Sequence, residues 1–253
     1  MTPPLRVFIT GASSGIGAAL ARHYDAPGAT LGLVARRPEI LDTLARELEA
    51  TVACYPLDVG SIDAVRLAAE AFIARHGLPD IVIANAGISH GTDGGDAGDL
   101  AVLERILRTN VSGLAATLQP FVAPMRARGS GTLVGISSVA GFRGLPGSGA
   151  YSASKAAATT WLEALRVELS GSGVAVVTIC PGFIDTPMTQ SNRYKMPFII
   201  PAEVAARRVA RAIAARRRCT VIPWQMGIVG CVLRKLPPWV YDRIAAGMPR
   251  KPR

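Results

Sequence analysis

The chain has 253 residues, 49% of them hydrophobic and 18% charged, with a mean hydropathy of +0.30. That is enough apolar material for the core of one α/β domain, and it excludes a disordered or fibrous chain. The formal net charge of +10 is uneven, since residues 1–192 carry 14 Lys and Arg against 16 Asp and Glu, whereas residues 193–253 carry 14 against 2. The basic character therefore belongs to the C-terminal quarter.

The four cysteines (Cys54, Cys180, Cys219, Cys231) form no C-x-x-C pair, and the three histidines form no H-E-x-x-H, so no metal site is expected. Cys54 and Cys180 lie in apolar runs and are expected to be buried thiols. MTPPLRVFIT enters a strand-like run without an apolar signal segment, which leads to the expectation of a reducing, cytoplasmic location.

Strand-like apolar runs at residues 6–10, 30–35, 51–57, 81–84, 131–137 and 174–180 alternate with helical patterns at 15–24, 39–50, 62–76, 99–125 and 150–169. This alternation predicts a doubly wound parallel sheet covered by helices on both faces. No repeat, low-complexity tract or linker divides the chain. The expected fold class is α/β, in a single domain over residues 1–253.

The first strand runs into Thr10-Gly11-Ala12-Ser13-Ser14-Gly15-Ile16-Gly17. Glycines let the backbone turn sharply and approach a ligand, and the following helix offers its N-terminus to phosphate. The G-x-x-x-G-x-G spacing differs from the general G-x-G-x-x-G fingerprint, so by itself the turn also reads as a tight strand-to-helix connection. Its place after the first strand favours nucleotide binding. Further on, Tyr151 and Lys155 open the helix at 150–169, four residues apart and so on one face. An ammonium beside a phenol lowers the phenol's pKa from about 10, which makes the pair a candidate proton donor and acceptor. The spacing alone also fits a half-buried Tyr and a solvated Lys.

Five further stretches stand in order around these: LDV (57–59), ANAG (84–87), TNVSG with Asn110, SSVAG with Ser138, and PGFIDTPM (181–188). Together the motifs resemble the classical short-chain dehydrogenase/reductase family over about residues 7–188, with Ala84 replacing the first Asn of the family's NNAG. The resemblance implies a Rossmann-type sheet and a nicotinamide cofactor. It would be held by Gly11, Ser13, Ser14, Gly15, Ile16 and Gly17 at the turn, by Asp58 and Val59 beside the adenine, and by Asn85, Ala86 and Gly87. Pro181, Gly182, Ile184 and Thr186 would hold the nicotinamide side.

By the same resemblance, Tyr151 is the general acid in reduction and Ser138 donates a hydrogen bond to the substrate carbonyl oxygen. Lys155 lowers the Tyr151 pKa and holds the nicotinamide ribose, and Asn110 positions a water linking Lys155 to solvent. Ser138 precedes Tyr151 by thirteen residues, the family spacing, which favours it over Ser137.

NAD enzymes of this architecture place an acidic residue at the end of the second strand. Ala35 stands there, followed by Arg36 and Arg37, and a guanidinium suits a 2′-phosphate. NADP(H) is therefore expected rather than NAD(H), in an oxidoreductase that interconverts a carbonyl and an alcohol. The alternative is a catalytically silent NADP(H)-binding regulator or scaffold, against which the four intact catalytic candidates speak. Asp93, Asp96 and Asp99 do not match calcium-loop spacing.

Within residues 193–253, the stretch SNRYKMPFII (191–200) reads as a substrate lid whose Tyr194, Met196 and Phe198 form an apolar wall for a lipophilic substrate, or equally as a plain loop. A basic helix follows at 202–217, then a tail mixing Trp and aliphatics with Arg and Lys, too broken to span a bilayer. The tail either packs on the protein or makes peripheral contact with an anionic membrane. If Arg216, Arg217, Arg218, Arg234, Lys235, Trp224 and Trp239 face one surface, that surface is expected to bind an anionic membrane. The tail lacks the aromatic–basic interleaving of a nucleic-acid surface. The helices at 99–125 and 150–169 resemble those that pair between subunits in the family, with Ala157, Ala158 and Trp161 allowing close approach, so a homodimer or homotetramer is expected.

Overall fold

The structure, a computed structural model, describes residues 4–192 and 194–252. Six strands appear in the expected order: β1 (Arg6–Thr10), β2 (Thr30–Ala35), β3 (Thr51–Pro56), β4 (Ile81–Ala84), β5 (Gly131–Ile136) and β6 (Val174–Pro181). Between them run α1 (Gly15–His23), α2 (Pro38–Glu47), α3 (Ile62–His76), α4 (Asp99–Leu107), α5 (Gly113–Arg128) and α6 (Gly149–Glu168). After β6 comes a short excursion of β7 (Ile184–Asp185), α7 (Pro187–Gln190) and β8 (Ile200–Pro201). The chain ends with α8 (Ala202–Ala214), β9 (Cys219–Ile222), α9 (Trp224–Lys235) and α10 (Pro238–Ala245).

The main sheet is parallel throughout, with order β3-β2-β1-β4-β5-β6-β9. Strand residues alternate between two cores. Val7, Ile9, Leu31 and Leu33 meet Leu20, Leu41 and Val209 of α1, α2 and α8 on one face. Phe8, Val34 and Val82 meet Phe72, Phe121 and Leu162 of α3, α5 and α6 on the other. Phe8 packs on Phe72 and Phe121 with ring centroids 5.5 and 5.2 Å away, filling the space a side chain at Gly32 would need.

Three departures from the sequence reading have physical causes. Periodicity does not reveal β9, because CTVI is short and follows an arginine run; β6 recruits it as the seventh strand, from Thr178↔Cys219 to Pro181↔Ile222. The helix expected at 99–125 is two helices joined by a π-helical turn, Arg108–Ser112, which carries Asn110 inward. Cys180 is buried, but Cys54 is only half-buried because β3 lies at the sheet edge.

Strand order reverses between β1 and β4, which opens a crevice at their C-terminal ends. Every remaining feature of the site is arranged around that crevice.

Candidate active site

The turn after β1 forms the floor of the crevice. Gly11 has φ +70°, and a Cβ there would stand 2.8 Å from the Ala86 Cα. A side chain at Gly17 would collide with the Gly11 carbonyl, so α1 can lie tight beneath the turn only with glycine there. Asn85 secures the arrangement by donating from Nδ2 to the Thr10 and Gly11 carbonyls at 3.0 and 3.2 Å. No acidic residue occupies the first turn of α1, so its positive end is free to face an anion.

One cleft is lined by Gly11, Ser13, Ser14, Gly15, Ile16, Arg36, Arg37, Asp58, Val59, Asn85, Ala86, Gly87, Ser138, Tyr151, Lys155, Pro181, Gly182, Ile184 and Thr186. These are all the sequence-predicted site residues except Gly17 and Asn110, which stand behind its wall. At one end Arg36 faces Asp58 at 4.0 Å, and the Arg37 guanidinium donates to Ser13 Oγ at 3.5 Å. Thr109, Pro187 and Met188, inside the TNVSG and PGFIDTPM motifs but not singled out there, also line the cleft, as do Ile88, Ile136 and Thr189, which sequence reasoning missed. Their signal was adjacency to the motifs, but which neighbour turns inward depends on the loop path.

At the other end Ser138, Tyr151 and Lys155 come together. Ser137 is committed to the fold, donating to the Lys155 carbonyl at 2.9 Å and lying 2.7 Å from Thr159 Oγ1. Ser138 Oγ donates to the Pro181 carbonyl at 3.3 Å and accepts from the Ala140 N–H at 3.1 Å, and it also lies by Tyr151, where it favours the phenolate. Burial nevertheless pushes the Tyr151 phenol above its ordinary value, with Ser138 opposing and Tyr194 reinforcing the rise. Burial therefore acts against the lowering expected from Lys155. The lysine Nζ lies 5.8 Å from the ring centroid, and the phenol's rise comes chiefly from desolvation.

Lys155 is itself only 4% exposed and donates to the Ile136 carbonyl at 2.8 Å. Burial pushes it down to about 8, with Cys180 opposing. Asn110 accepts from the Ile88 N–H at 2.8 Å and donates to the Ile88 carbonyl at 2.9 Å and to Ser154 Oγ at 3.0 Å. Those bonds brace the loop after β4 against α6. A Cβ on Gly87 would stand 3.3 Å from Asn110 Oδ1 and 3.5 Å from Lys155 Nζ, so glycine keeps open the space between them.

Of the three candidate wall residues, Tyr194 packs on Phe183 with ring centroids 6.3 Å apart and lies near enough to raise the Tyr151 phenol, without lining the cleft itself. Phe198 is exposed and Met196 receives a bond from Asn192, so neither is shown walling the cleft; Arg193 lies outside the described residues. Among the described residues no three His, Cys, Asp or Glu side chains gather as a metal set.

A seven-stranded parallel sheet with a glycine turn at its order reversal defines a Rossmann-type nucleotide-binding domain. A family model described as short chain dehydrogenase matches residues 6–197, and the chain belongs to the short-chain dehydrogenase/reductase family of oxidoreductases. It is 39% identical over 240 residues to an uncharacterized oxidoreductase of Myxococcus xanthus, covering 94% of each chain. It is 34% identical over 246 residues to an uncharacterized oxidoreductase of Mycobacterium tuberculosis, covering 95% of this chain and 97% of the relative. The crystal structure of a short-chain dehydrogenase from Streptomyces avermitilis matches with a TM-score of 0.80 at 25% identity, over 97% of this chain and 100% of that one.

Proposed function

We propose that the chain is an NADP(H)-dependent oxidoreductase interconverting a carbonyl and an alcohol, with Tyr151 as the proton donor and acceptor. The observation that carries this reading is the meeting of Ser138, Tyr151 and Lys155 at the end of a cleft whose other end holds the glycine turn. The fit to the cofactor is supported by the open glycine floor, the acid-free start of α1 and the two arginines at the far end. When bound, the cofactor supplies or accepts the hydride.

The protein's part is alignment and proton handling. Ser138 donates a hydrogen bond to the carbonyl oxygen, and Tyr151 delivers its phenolic proton to the same oxygen as charge develops there. Burial keeps Tyr151 protonated at neutral pH, which suits reduction. Lys155, mostly protonated below its value of about 8, provides positive charge beside the nascent phenolate and donors for ribose hydroxyls. Asn110 positions Lys155 indirectly by bracing the neighbouring loop.

For the choice of NADP(H), the support is Ala35 where an acid would bind a 2′-hydroxyl, with Arg36 and Arg37 alongside. Asp58 opposes a phosphate, so two guanidiniums act against one carboxylate. For assembly, α6 leaves Ala153, Ala157, Thr160 and Ala164 exposed on one face, suited to close helix pairing in a homodimer or homotetramer. Ala158 takes no part in such a contact, being buried in the chain's own core. A cytoplasmic location, with peripheral membrane contact through α9 and α10, belongs to the same reading. The proposed chemistry is tested by Tyr151→Phe: turnover of NADPH with a ketone panel should vanish while NADPH affinity stays within about threefold. Near-normal kcat in that variant rejects the proton role.

A further inference from the structure

The last residues of the chain return to the active-site mouth. Beyond α10, residues 248–252 run between the loop after β4 and the loop before α6. The Gly91 N–H donates to the Pro252 carbonyl at 3.1 Å, and Arg250 lies against Gly147, where a Cβ would stand 2.7 Å from its own Cβ. Arg250 also pairs with Asp93 at 3.6 Å. Upstream, Tyr241 donates to the Gly144 carbonyl at 2.5 Å and carries the Arg143 guanidinium 4.2 Å from its ring centroid. Glycines at 91 and 147 leave room for the strap where any side chain would obstruct it.

This path delivers Lys251 to the proposed proton donor. Its Nζ lies 6.0 Å from the centre of the Tyr151 ring and donates to Ser89 Oγ at 2.8 Å. Among the described residues no carboxylate forms an ion pair with it, whereas Arg250 beside it has one. The ammonium is half-buried, and that burial alone pushes its pKa down. A half-buried cation without a counter-ion is costly, and at a substrate mouth an incoming anion removes that cost. Asp93, on the adjoining loop, is held by Arg250 and by the Gly95 N–H.

We propose that Lys251 is a specificity residue that binds an anionic group, such as a carboxylate, carried by the substrate close to its reacting carbonyl or alcohol. The proposal rests on the reductase reading, since it is the position of Tyr151 that makes this cation part of the substrate site. It replaces the expectation of a wholly lipophilic substrate with an amphipathic one. Tyr194 stands near Tyr151, and Lys251 supplies a charge at the same mouth.

Binding tests this without requiring turnover. The full-length protein saturated with NADP⁺ is titrated calorimetrically with 3-acetylbenzoate and with its neutral methyl ester. Wild type should bind the acid at least about tenfold more tightly than the ester, the scale of a partly desolvated ion pair. Lys251→Gln should remove that preference and Lys251→Arg should keep most of it. Arg250→Ala, which loosens the strap without removing the cation, separates charge recognition from simple docking: the preference should survive there. Equal binding of acid and ester by wild type, or an unchanged preference in Lys251→Gln, overturns the proposal. So does a preference lost equally in Lys251→Gln and Lys251→Arg. A binding preference that responds to Lys251 as described supports the proposal even where the Tyr151→Phe variant reduces ketones normally, a result that counts against the proton role of Tyr151 alone.

Discussion

The balance of burial and charge at Lys155 sets the most exacting condition in the site. A lysine whose pKa falls from 10.5 to about 8 on folding holds its proton less readily in the folded chain than in the unfolded one. Folding therefore carries a penalty that is full below pH 8 and fades as pH rises toward 10.5. Lys155→Met should stabilise the cofactor-free protein by about 1 to 3 kcal/mol at pH 7 while weakening NADPH binding. Urea unfolding at pH 7 and pH 10 checks both parts, and the gain should shrink at the higher pH. At the opposite end of the cleft, Arg36→Ala should reduce an NADPH-over-NADH preference of at least about tenfold to near unity, because the remaining Arg37 must then counter Asp58 alone. Fluorescence titration with both cofactors reads the ratio, and equal affinities in wild type reject the assignment.

Among the elements, α6 has two unlike faces. Ala158, Leu162 and Leu165 are buried against the sheet, Tyr151 and Lys155 open the helix at the cleft, and Ala153, Ala157, Thr160 and Ala164 face outward. Small outward residues allow a second helix to approach closely, and a carboxylate placed there would be desolvated without a partner. Ala157→Glu should therefore shift the protein from dimer or tetramer toward the 26.5 kDa monomer at micromolar concentration, with little change in its far-ultraviolet spectrum. Sedimentation velocity decides, and wild type found as a monomer alone rejects the assembly.

For the whole molecule, the C-terminal quarter both packs and exposes. Met226 fills the space beside Gly182, Gly230 lies against Phe142, and Tyr241 holds the loop before α6, so the tail packs behind the site. Its outer surface exposes Trp224 (65%), Ile228 (57%), Val232 (54%) and Trp239 (74%) near Arg234 and Lys235. The condition that Arg216, Arg217 and Arg218 share this surface is not met. They precede β9 and Trp224 follows it, so the strand puts them at opposite ends of the sheet. No helix among the described residues is long and apolar enough to cross a membrane. If α9 and α10 rest on an anionic bilayer, replacing Trp224 and Trp239 with Ala should lower vesicle co-sedimentation at least about fivefold, because interfacial Trp side chains anchor such contacts. Wild type left in the supernatant at low salt rejects the contact.

The sequence by itself determined the strand–helix alternation, the glycine turn and the spacing of Ser138, Tyr151 and Lys155. Each is a local pattern, set by the period of apolar residues or by a few neighbours along the chain. Only the tertiary structure decided that Asn110 bonds to Ile88 and Ser154, because a π-helical turn cannot be read from composition. It alone assigned β9 to the sheet, since four residues beside an arginine run become a strand only when β6 offers its edge. The Tyr151 phenol illustrates the same limit. Spacing shows the nearby ammonium but not the burial that raises the phenol, and desolvation depends on everything packed around the ring. Lys251 has no local signal at all: one hundred residues separate it from Tyr151, and only the path of the folded chain brings the two side by side.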